Sequence, residues 1–167
     1  MPHIAQEILV EYLKKNEEKL YRIAYTYTKN QENALDVVQE AITKSLENIS
    51  KLRNEEYVKT WFYRILINEA IKASKNTKSF IDYETITNEL SSQSNENELI
   101  ENIDTFAIIQ KLKPKLKTVI ILRFFENLKI EEIAYITKTN TNTVKSRLYK
   151  AIEEIRKDLE ESSVWVQ

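Results

Sequence analysis

The sequence predicts an all-α fold made of two small helical domains joined by a linker. Apolar residues recur at helical spacing along most of the chain, as in Leu20, Ile23, Ala24 and Tyr27. The chain has no glycine and only two prolines, so the usual residues of tight turns are scarce. The helical periodicity is lost in one polar stretch, residues 79–105, which is typical of a linker.

The distribution of charge supports the same division. Residues 1–80 carry 13 Lys and Arg against 11 Asp and Glu, residues 81–105 carry none against 7, and residues 106–167 carry 12 against 8. The net charge of −1 therefore conceals two weakly basic segments joined by an acidic one, a pattern compatible with nucleic-acid binding by local patches. We predict a first domain at 1–78, an acidic flexible linker at 79–105, a second domain at 106–160 and a tail at 161–167.

Composition argues against several classes of function. The chain has no cysteine and a single histidine, so disulfides and thiolate metal sites are excluded and no metal centre is expected. A glycine-rich phosphate-binding loop cannot be built without glycine, and no spacing pairs a nucleophile with a base, so we expect neither catalysis nor a cofactor. No run approaches the roughly 18 apolar residues of a membrane span, and the start lacks a secretory leader, which predicts a cytosolic protein.

The second domain is predicted to contain a helix-turn-helix. A buried helix begins at Pro114, a favoured first-turn residue, and a shorter helix spans about Ile130 to Thr137. After a break of about three residues, a third helix begins at Asn140 and Thr141, whose side chains can accept hydrogen bonds from free backbone N–H groups. Two short helices at this separation are typical of a DNA-binding motif.

The third helix of this motif has an apolar face and a polar face. The predicted buried positions are Val144, Leu148, Ala151, Ile152 and Ile155. The polar face and its flanks carry Asn142, Lys145, Ser146, Arg147, Tyr149 and Lys150. These donors suit the major groove of DNA, although an ordinary solvated helix face would have a similar composition.

The first domain contains a helix in which one apolar residue interrupts a charged face. We predict that the buried positions are Leu35, Val38, Ile42, Leu46 and Ile49. The opposite face then carries Val37 among Asp36, Glu40, Lys44 and Glu47. Val37 is either part of a partner-binding surface or a lone surface valine.

The next helix of the first domain, at about 56–75, carries a line of aromatic and polar residues. These are Tyr57, Trp61, Arg64, Asn68 and Lys72. Aromatic rings between cations can stack on unpaired bases and hold their phosphates. The alternative is that Tyr57 and Trp61 belong to the hydrophobic core.

These segments resemble conserved regions of extracytoplasmic-function (ECF) sigma factors of bacterial RNA polymerase. Thr143-Val-Lys-Ser-Arg-Leu-Tyr-Lys150 is similar to region 4, which binds the promoter element near −35. Asp36-Val-Val-Gln-Glu40 is similar to region 2.2, which binds the polymerase clamp. Lys59-Thr-Trp-Phe-Tyr-Arg-Ile-Leu-Ile-Asn68 is similar to regions 2.3 and 2.4, which open the −10 element. The resemblance covers about residues 15–78 and 106–158.

The resemblance implies three binding surfaces on this chain. Contacts to −35 DNA would come from Asn142, Thr143, Lys145, Ser146, Arg147, Tyr149 and Lys150. Opening and reading of the −10 element would involve Lys59, Trp61, Tyr63, Arg64, Asn68 and Lys72. The core polymerase would be bound by Asp36, Val37, Gln39 and Glu40. The resemblance also implies control by a membrane-anchored anti-sigma factor in a cell-envelope stress response, with no catalytic activity in the chain itself.

The chain departs from the family pattern in two loops. Lys138 occupies the turn of the helix-turn-helix, where the family often has glycine, and Asn142 stands where a second glycine is common. A positive φ at Lys138 would cost conformational energy. The loop Leu52-Arg-Asn-Glu-Glu-Tyr57 lacks the usual Gly-Ser character, so the choice of −10 sequence transfers least well from the family.

Two other functions are compatible with parts of the sequence. A conventional helix-turn-helix regulator with an N-terminal dimerisation or sensing domain would bind duplex DNA alone, and it would tolerate loss of the segment from Asp36 to Glu40. A purely protein-binding helical adaptor would make Lys145 and Lys150 incidental to function.

Overall fold

The computed structural model describes residues 2–77 and 107–166, and every regular element in these ranges is helical. This confirms the predicted all-α fold. The chain divides into two compact units, one on either side of the segment between these ranges. The predicted acidic linker at 79–105 lies outside the described residues.

The first unit contains four α-helices. They are α1 (Pro2–Lys15), α2 (Glu17–Thr28), α3 (Gln31–Asn48) and α4 (Val58–Thr77). Two short 3₁₀ turns, Ile49–Lys51 and Glu55–Tyr57, lead from α3 into α4. Helices α2, α3 and α4 pack against one another, and α1 packs on α4 and on both turns.

The connection between α2 and α3 is built without glycine. Helix α2 ends at Lys29, which adopts the left-handed conformation with φ of 56° and donates its backbone N–H to the Tyr25 carbonyl at 2.8 Å. Asn30 then caps α3, because its Oδ1 accepts the Asn33 backbone N–H at 2.9 Å. The sharp turn brings the two helices together as neighbours.

Helix α4 is the central helix of the first unit. Its side chains that are at most 2% exposed cover about half of the helix circumference: Val58, Phe62, Tyr63, Leu66, Ile67 and Ala70. Helices α1, α2 and α3 contact α4, and its exposed residues Asn68, Lys72 and Lys75 lie on the side opposite the buried ones. The predicted line of aromatic and polar residues, which we call the −10 stripe, follows this exposed side: Tyr57, Trp61, Arg64, Asn68 and Lys72.

Helix α3 buries a different face from the one predicted. Its buried residues are Ala34, Val37, Val38, Ala41 and Ser45. The predicted burial of Leu35 and Leu46 is wrong, since their exposed fractions are 51% and 40%. The small residues on the buried face allow α2 and α4 to approach closely, and this packing decides the rotation of the helix.

The second unit contains the predicted helix-turn-helix. After a short helix at 107–111, α5 (Pro114–Ile120) continues into a π-helical turn, Ile121–Phe125. Helices α6 (Ile130–Thr137) and α7 (Thr141–Val166) follow. Helices α5 and α6 both pack on α7, which extends beyond the predicted domain end at residue 160.

Lys138, in the turn between α6 and α7, adopts a positive φ. This residue has φ of 57° and ψ of 41°, the left-handed conformation that a glycine would adopt more easily. The Thr137 hydroxyl donates to the Ile133 carbonyl at 2.8 Å and lies 2.9 Å from the Thr139 hydroxyl, which ties the turn to α6. The predicted cap is also confirmed, because the Asn140 Oδ1 accepts the Thr143 backbone N–H at 2.8 Å.

Candidate nucleic-acid and protein interfaces

The polar face of α7 is oriented by an apolar face that packs on α5 and α6. Val144 and Ala151 are completely buried and Leu148 nearly so, as predicted. Ile152 is an exception, because 37% of it is exposed, and the apolar contacts of α7 weaken from this position onward. The first three turns of α7 are thus fixed on the unit and present their other side to solvent.

All seven residues predicted to contact −35 DNA lie outside the core. Asn142, Lys145, Ser146, Tyr149 and Lys150 are exposed, while Thr143 and Arg147 are half-buried. With 74% of its surface exposed, Tyr149 protrudes from the helix. No acidic residue occurs in the first turn of α7, so the cations and the helix N-terminus attract phosphate without a competing negative charge.

Part of this face forms a shallow groove along the first half of α7. The lining side chains are Asn140, Asn142, Thr143, Ser146, Arg147 and Lys150. Asn142, Ser146 and Lys150 are four residues apart, so they follow one side of the helix. An amide, a hydroxyl and an ammonium in one line can donate hydrogen bonds to base edges and phosphates.

The −10 stripe of the first unit runs along the solvent side of α4. Tyr57 is 54% exposed, Asn68 and Lys72 are exposed, and Trp61 and Arg64 are half-buried. The interpretation of Tyr57 as a core residue is therefore wrong. Rings that are partly supported by the protein and partly open to solvent are suited to stacking on unpaired bases.

Tyr63 does not belong to this stripe, which corrects its assignment to −10 DNA. Its side chain is completely buried, and its hydroxyl forms a hydrogen bond with the hydroxyl of Tyr12. The neighbouring position on α4 behaves differently, since Lys59 is half-buried and its ammonium lies 5.8 Å from the centre of the Tyr12 ring. Lys59 and Tyr63 are one turn apart, so both lie on the side of α4 that faces Tyr12, away from this stripe.

The polymerase-binding motif on α3 also needs one correction. Asp36 and Glu40 are exposed, as a binding surface requires, but Val37 is only 4% exposed and packs in the core. The apolar residue beside these polar groups is instead Leu35. Sequence reasoning missed it because Leu35 fits the apolar spacing of a buried face, whereas the small residues Ala34, Ala41 and Ser45 were the better signal.

An ion-pair network lies at the edge of this α3 surface. The Lys44 ammonium is in close contact with the Glu69 carboxylate of α4, and it lies 3.9 Å from the Glu40 carboxylate one turn earlier on α3. The hydrogen bond to Glu69 raises the pKa of the Lys44 amine, with smaller contributions from the negative charges of nearby glutamates. This contact joins α3 to the solvent side of α4.

Neither a metal centre nor a membrane-spanning helix is found within residues 2–77 and 107–166. These residues contain no cluster of three or more His, Cys, Asp or Glu side chains that could hold a metal ion. None of the helices described there has both the length and the hydropathy needed to cross a membrane.

The two units correspond to two regions of one protein family. Residues 12–79 match the family model for Sigma-70 region 2, and residues 106–155 match that for Sigma-70, region 4. The RNA polymerase sigma factor SigV of Bacillus subtilis is 44% identical over 151 residues, which cover 89% of each chain. This chain is an ECF sigma factor. Sigma factors are non-catalytic subunits that initiate transcription with RNA polymerase, so this one is not an enzyme.

Three further similar proteins have lower sequence identity to this sigma factor. The ECF RNA polymerase sigma factor SigW of Bacillus subtilis is 26% identical over 168 residues, covering 92% of this chain and 90% of its own. The structure of CnrH in complex with the cytosolic domain of CnrY matches with a TM-score of 0.70 at 15% identity, covering 95% and 94% of the two chains. The sigma factor RpoE in complex with the anti-sigma factor NepR, from Bartonella quintana, matches with a TM-score of 0.71 at 20% identity, covering 90% and 95%.

Proposed function

We propose that this ECF sigma factor selects promoters through three separate surfaces, one each for core polymerase, the −10 element and the −35 element. The observation that carries the proposal is the polar face of α7, where all seven predicted contacts lie outside the core while the opposite face is packed. A helix fixed in this way can enter the major groove with its donors directed at base edges.

The −35 surface is the groove of α7 together with Lys145 and Tyr149. Asn142 and Ser146 supply hydrogen bonds to bases, and Lys145, Arg147 and Lys150 neutralise backbone phosphates. Each phosphate contact releases a counterion, so binding to this surface weakens as the salt concentration rises.

The −10 surface is the stripe on α4, and Lys59, on the other side of the helix, does not belong to it. Tyr57 and Trp61 offer faces on which separated bases stack, at about 1–3 kcal/mol per base, which offsets the few kcal/mol that unstacking a base costs. Arg64 and Lys72 hold the phosphates of the same strand, and Asn68 contacts a base between them. Tyr63 stabilises the core of the first unit and does not contact DNA.

Core polymerase binds to the solvent face of α3 in this proposal. The polar contacts come from Asp36, Gln39 and Glu40, and Leu35 replaces Val37 as the apolar centre. An exposed apolar side chain ringed by polar groups is the arrangement expected at the centre of a protein interface.

Regulation by an anti-sigma factor completes the proposal. Two structural neighbours were solved in complex with partner proteins, the cytosolic domain of CnrY and the anti-sigma factor NepR. We propose that this protein works in the cytoplasm and is held inactive by a membrane-anchored anti-sigma factor until a cell-envelope stress releases it.

Run-off transcription with Bacillus subtilis core polymerase tests the proposal on templates that assume no particular promoter. The templates are duplexes whose −35 and −10 hexamers are randomised, and the transcripts and their templates are sequenced. We expect enrichment of one −35 and one −10 sequence that polymerase alone does not select. If the chain binds polymerase but enriches no template, the proposed function is wrong.

A pair of variants on α7 then tests the −35 surface. Replacing Lys145 and Lys150 with Ala should reduce binding to the enriched duplex and lower the slope of log affinity against log salt by about one for each phosphate that is no longer neutralised. The matched control is Lys157→Ala, since Lys157 is an exposed lysine on the same helix that pairs with Glu153 at 3.9 Å. If Lys157→Ala reduces binding and the salt slope as much as the double replacement does, the assignment of Lys145 and Lys150 to DNA phosphates is wrong.

A further inference from the structure

Lys44 of α3 connects the polymerase-binding face of α3 to the border of the −10 stripe on α4. Its ammonium is in close contact with the Glu69 carboxylate of α4 and lies 3.9 Å from the Glu40 carboxylate. The Glu69 side chain is only 14% exposed, while that of Lys44 is 38% exposed. The Glu69 carboxylate is therefore largely shielded from water, and Lys44 supplies its counter-charge.

Glu69 borders the −10 stripe on the side that faces α3. It follows Asn68 directly and precedes Lys72 by three residues, so it lies about 60° round the helix from Lys72. Side chains at this spacing are neighbours on the helix surface, with about 5–6 Å between their Cβ atoms. A phosphate bound by Lys72 would thus lie within the range of the Glu69 charge, which is about 8 Å at physiological ionic strength.

An uncompensated charge on Glu69 would oppose strand binding in two ways. It would repel the phosphates of the separated strand. It would also attract the Lys72 ammonium, since a glutamate and a lysine three residues apart on a helix can form an ion pair. Among the residues that the structure describes, Glu69 pairs with Lys44 and not with Lys72, whose side chain is exposed. The Lys72 ammonium is thus left available to a phosphate.

We infer that Lys44 is a positioning residue for promoter opening, which neutralises Glu69 and so keeps its negative charge from acting on Lys72 and on the phosphate that Lys72 binds. The inference rests on the proposed function. It gives α3 a part in opening that is distinct from polymerase binding, because Lys44 acts on α4 through Glu69. The effect is electrostatic and therefore weakens as the salt concentration rises.

A double-mutant cycle between Lys44 and Glu69 tests the inference. Bacillus subtilis core polymerase is saturated with the full chain on the promoter recovered from the randomised templates, with 2-aminopurine in the −10 non-template strand. Its fluorescence reports the ratio of open to closed promoter. We expect Lys44→Met to lower this ratio about two- to fivefold, the effect of one uncompensated charge near a phosphate. Glu69→Gln should not lower the ratio, and in the double variant it should restore the ratio to within about twofold of the wild type.

The two single variants separate neutralisation from a merely structural link between α3 and α4. If the ion pair served only to hold the two helices together, Glu69→Gln would break it as Lys44→Met does, and opening would fall in both variants. With neutralisation, only the variant that leaves Glu69 without its counter-charge is impaired. The matched control is Lys15→Met, because Lys15 pairs with Glu11 at 3.0 Å on α1, and opening should not change.

The possible failures of this experiment are distinguishable. If Lys44→Met leaves opening unchanged, or if Glu69→Gln lowers opening and does not rescue Lys44→Met, the inference is overturned. If the wild-type chain opens no promoter at all, the proposed function itself is wrong. Thermal unfolding, followed by circular dichroism, shows whether each variant is folded, and Lys44→Gln is measured in place of Lys44→Met if the latter is not.

Discussion

The two units differ in how well their exposed residues could be anticipated. On α7 of the second unit, all seven predicted contact residues lie outside the core. On α3 and α4 of the first unit, two predicted contact residues, Val37 and Tyr63, are buried, and Leu35 is exposed where burial was expected. All three helices have apolar residues at regular helical spacing, so the difference lies in their surroundings.

The surroundings differ in the number of sides from which each helix is packed. The first half of α7 is covered on one side by α5 and α6, so its apolar and polar residues separate into two faces. Helix α4 is contacted by three helices, and α3 lies between α2 and α4. The polarity of a residue therefore predicts whether its side chain is exposed when the helix is packed on one side only. When packing extends around the helix, polarity no longer predicts exposure.

The largest expected effect comes from comparing the two tyrosines that were assigned to DNA, one in each unit. Tyr63→Ala should lower the free energy of unfolding of the first unit by about 3–5 kcal/mol, because a buried ring and its hydrogen bond are removed. Tyr149→Ala should change stability by less than about 0.5 kcal/mol and still reduce transcription. Urea denaturation measures the free energy of unfolding of each variant, and run-off transcription measures its activity. A stable Tyr63→Ala variant would remove the contrast between the units.

A comparison within α3 tests its corrected orientation. Val37→Ala should lower the free energy of unfolding by about 2 kcal/mol, because apolar burial decreases and a cavity is left behind. Leu35→Ala should leave stability nearly unchanged and weaken binding to core polymerase about tenfold, as expected for an apolar interface centre. Denaturation midpoints and fluorescence anisotropy with labelled chain give the two quantities. If Leu35→Ala lowers stability and Val37→Ala weakens polymerase binding, the buried face of α3 is the one predicted from the sequence and its corrected orientation is wrong.

The turn of the helix-turn-helix offers two substitutions of opposite sign. Lys138→Gly should raise the free energy of unfolding of the second unit by about 1 kcal/mol, because glycine adopts the left-handed conformation without strain. Asn142→Gly, at the other position where the family often has glycine, should lower it by a few tenths of a kcal/mol, since this residue lies inside α7. Urea denaturation of both variants measures the difference. Stabilisation by both would contradict the geometry of the turn.

The smallest expected effect is a pH dependence in the first unit. The pKa of the Lys44 amine is raised, so its contribution to stability is complete below the ordinary lysine value of about 10.4 and is lost as the pH rises through the higher folded-state value. The stability difference between wild type and Lys44→Met should therefore be constant from neutral pH to about 10 and then shrink. Lys157→Met serves as the control for an exposed pair in the second unit.

The sequence was sufficient for the fold class and for the boundaries of α6 and the start of α7. Pro114, Asn140 and the apolar spacing mark where the helices of the second unit begin, and the structure agrees. It was not sufficient for the rotation of α3, because Leu35, Val38 and Ile42 also form a regular apolar line. In the folded protein, close packing of the small residues of α3 against α2 and α4 is favoured over the burial of two leucines. This packing depends on the neighbouring helices, so the apolar spacing within α3 alone does not predict it.

The burial of Tyr63 has a different explanation. Helical spacing already excluded Tyr63 from the predicted line on α4, because it lies two residues from Trp61 and therefore about 200° further round the helix. Tyr63 was assigned to the −10 element through the family resemblance alone. Its contact with Tyr12, which is 51 residues away in sequence, lies on the other side of α4.

Asn140 has a consequence for the redesign of promoter choice. The same side chain fixes the first turn of α7 and lines the groove beside Asn142, Ser146 and Lys150. A combinatorial library that varied all four positions would yield many members with frayed helices, and their loss of function would carry no information about base preference. Holding Asn140 constant and varying the other three would let orthogonal variants be selected for regulatory circuits while the helix keeps its start.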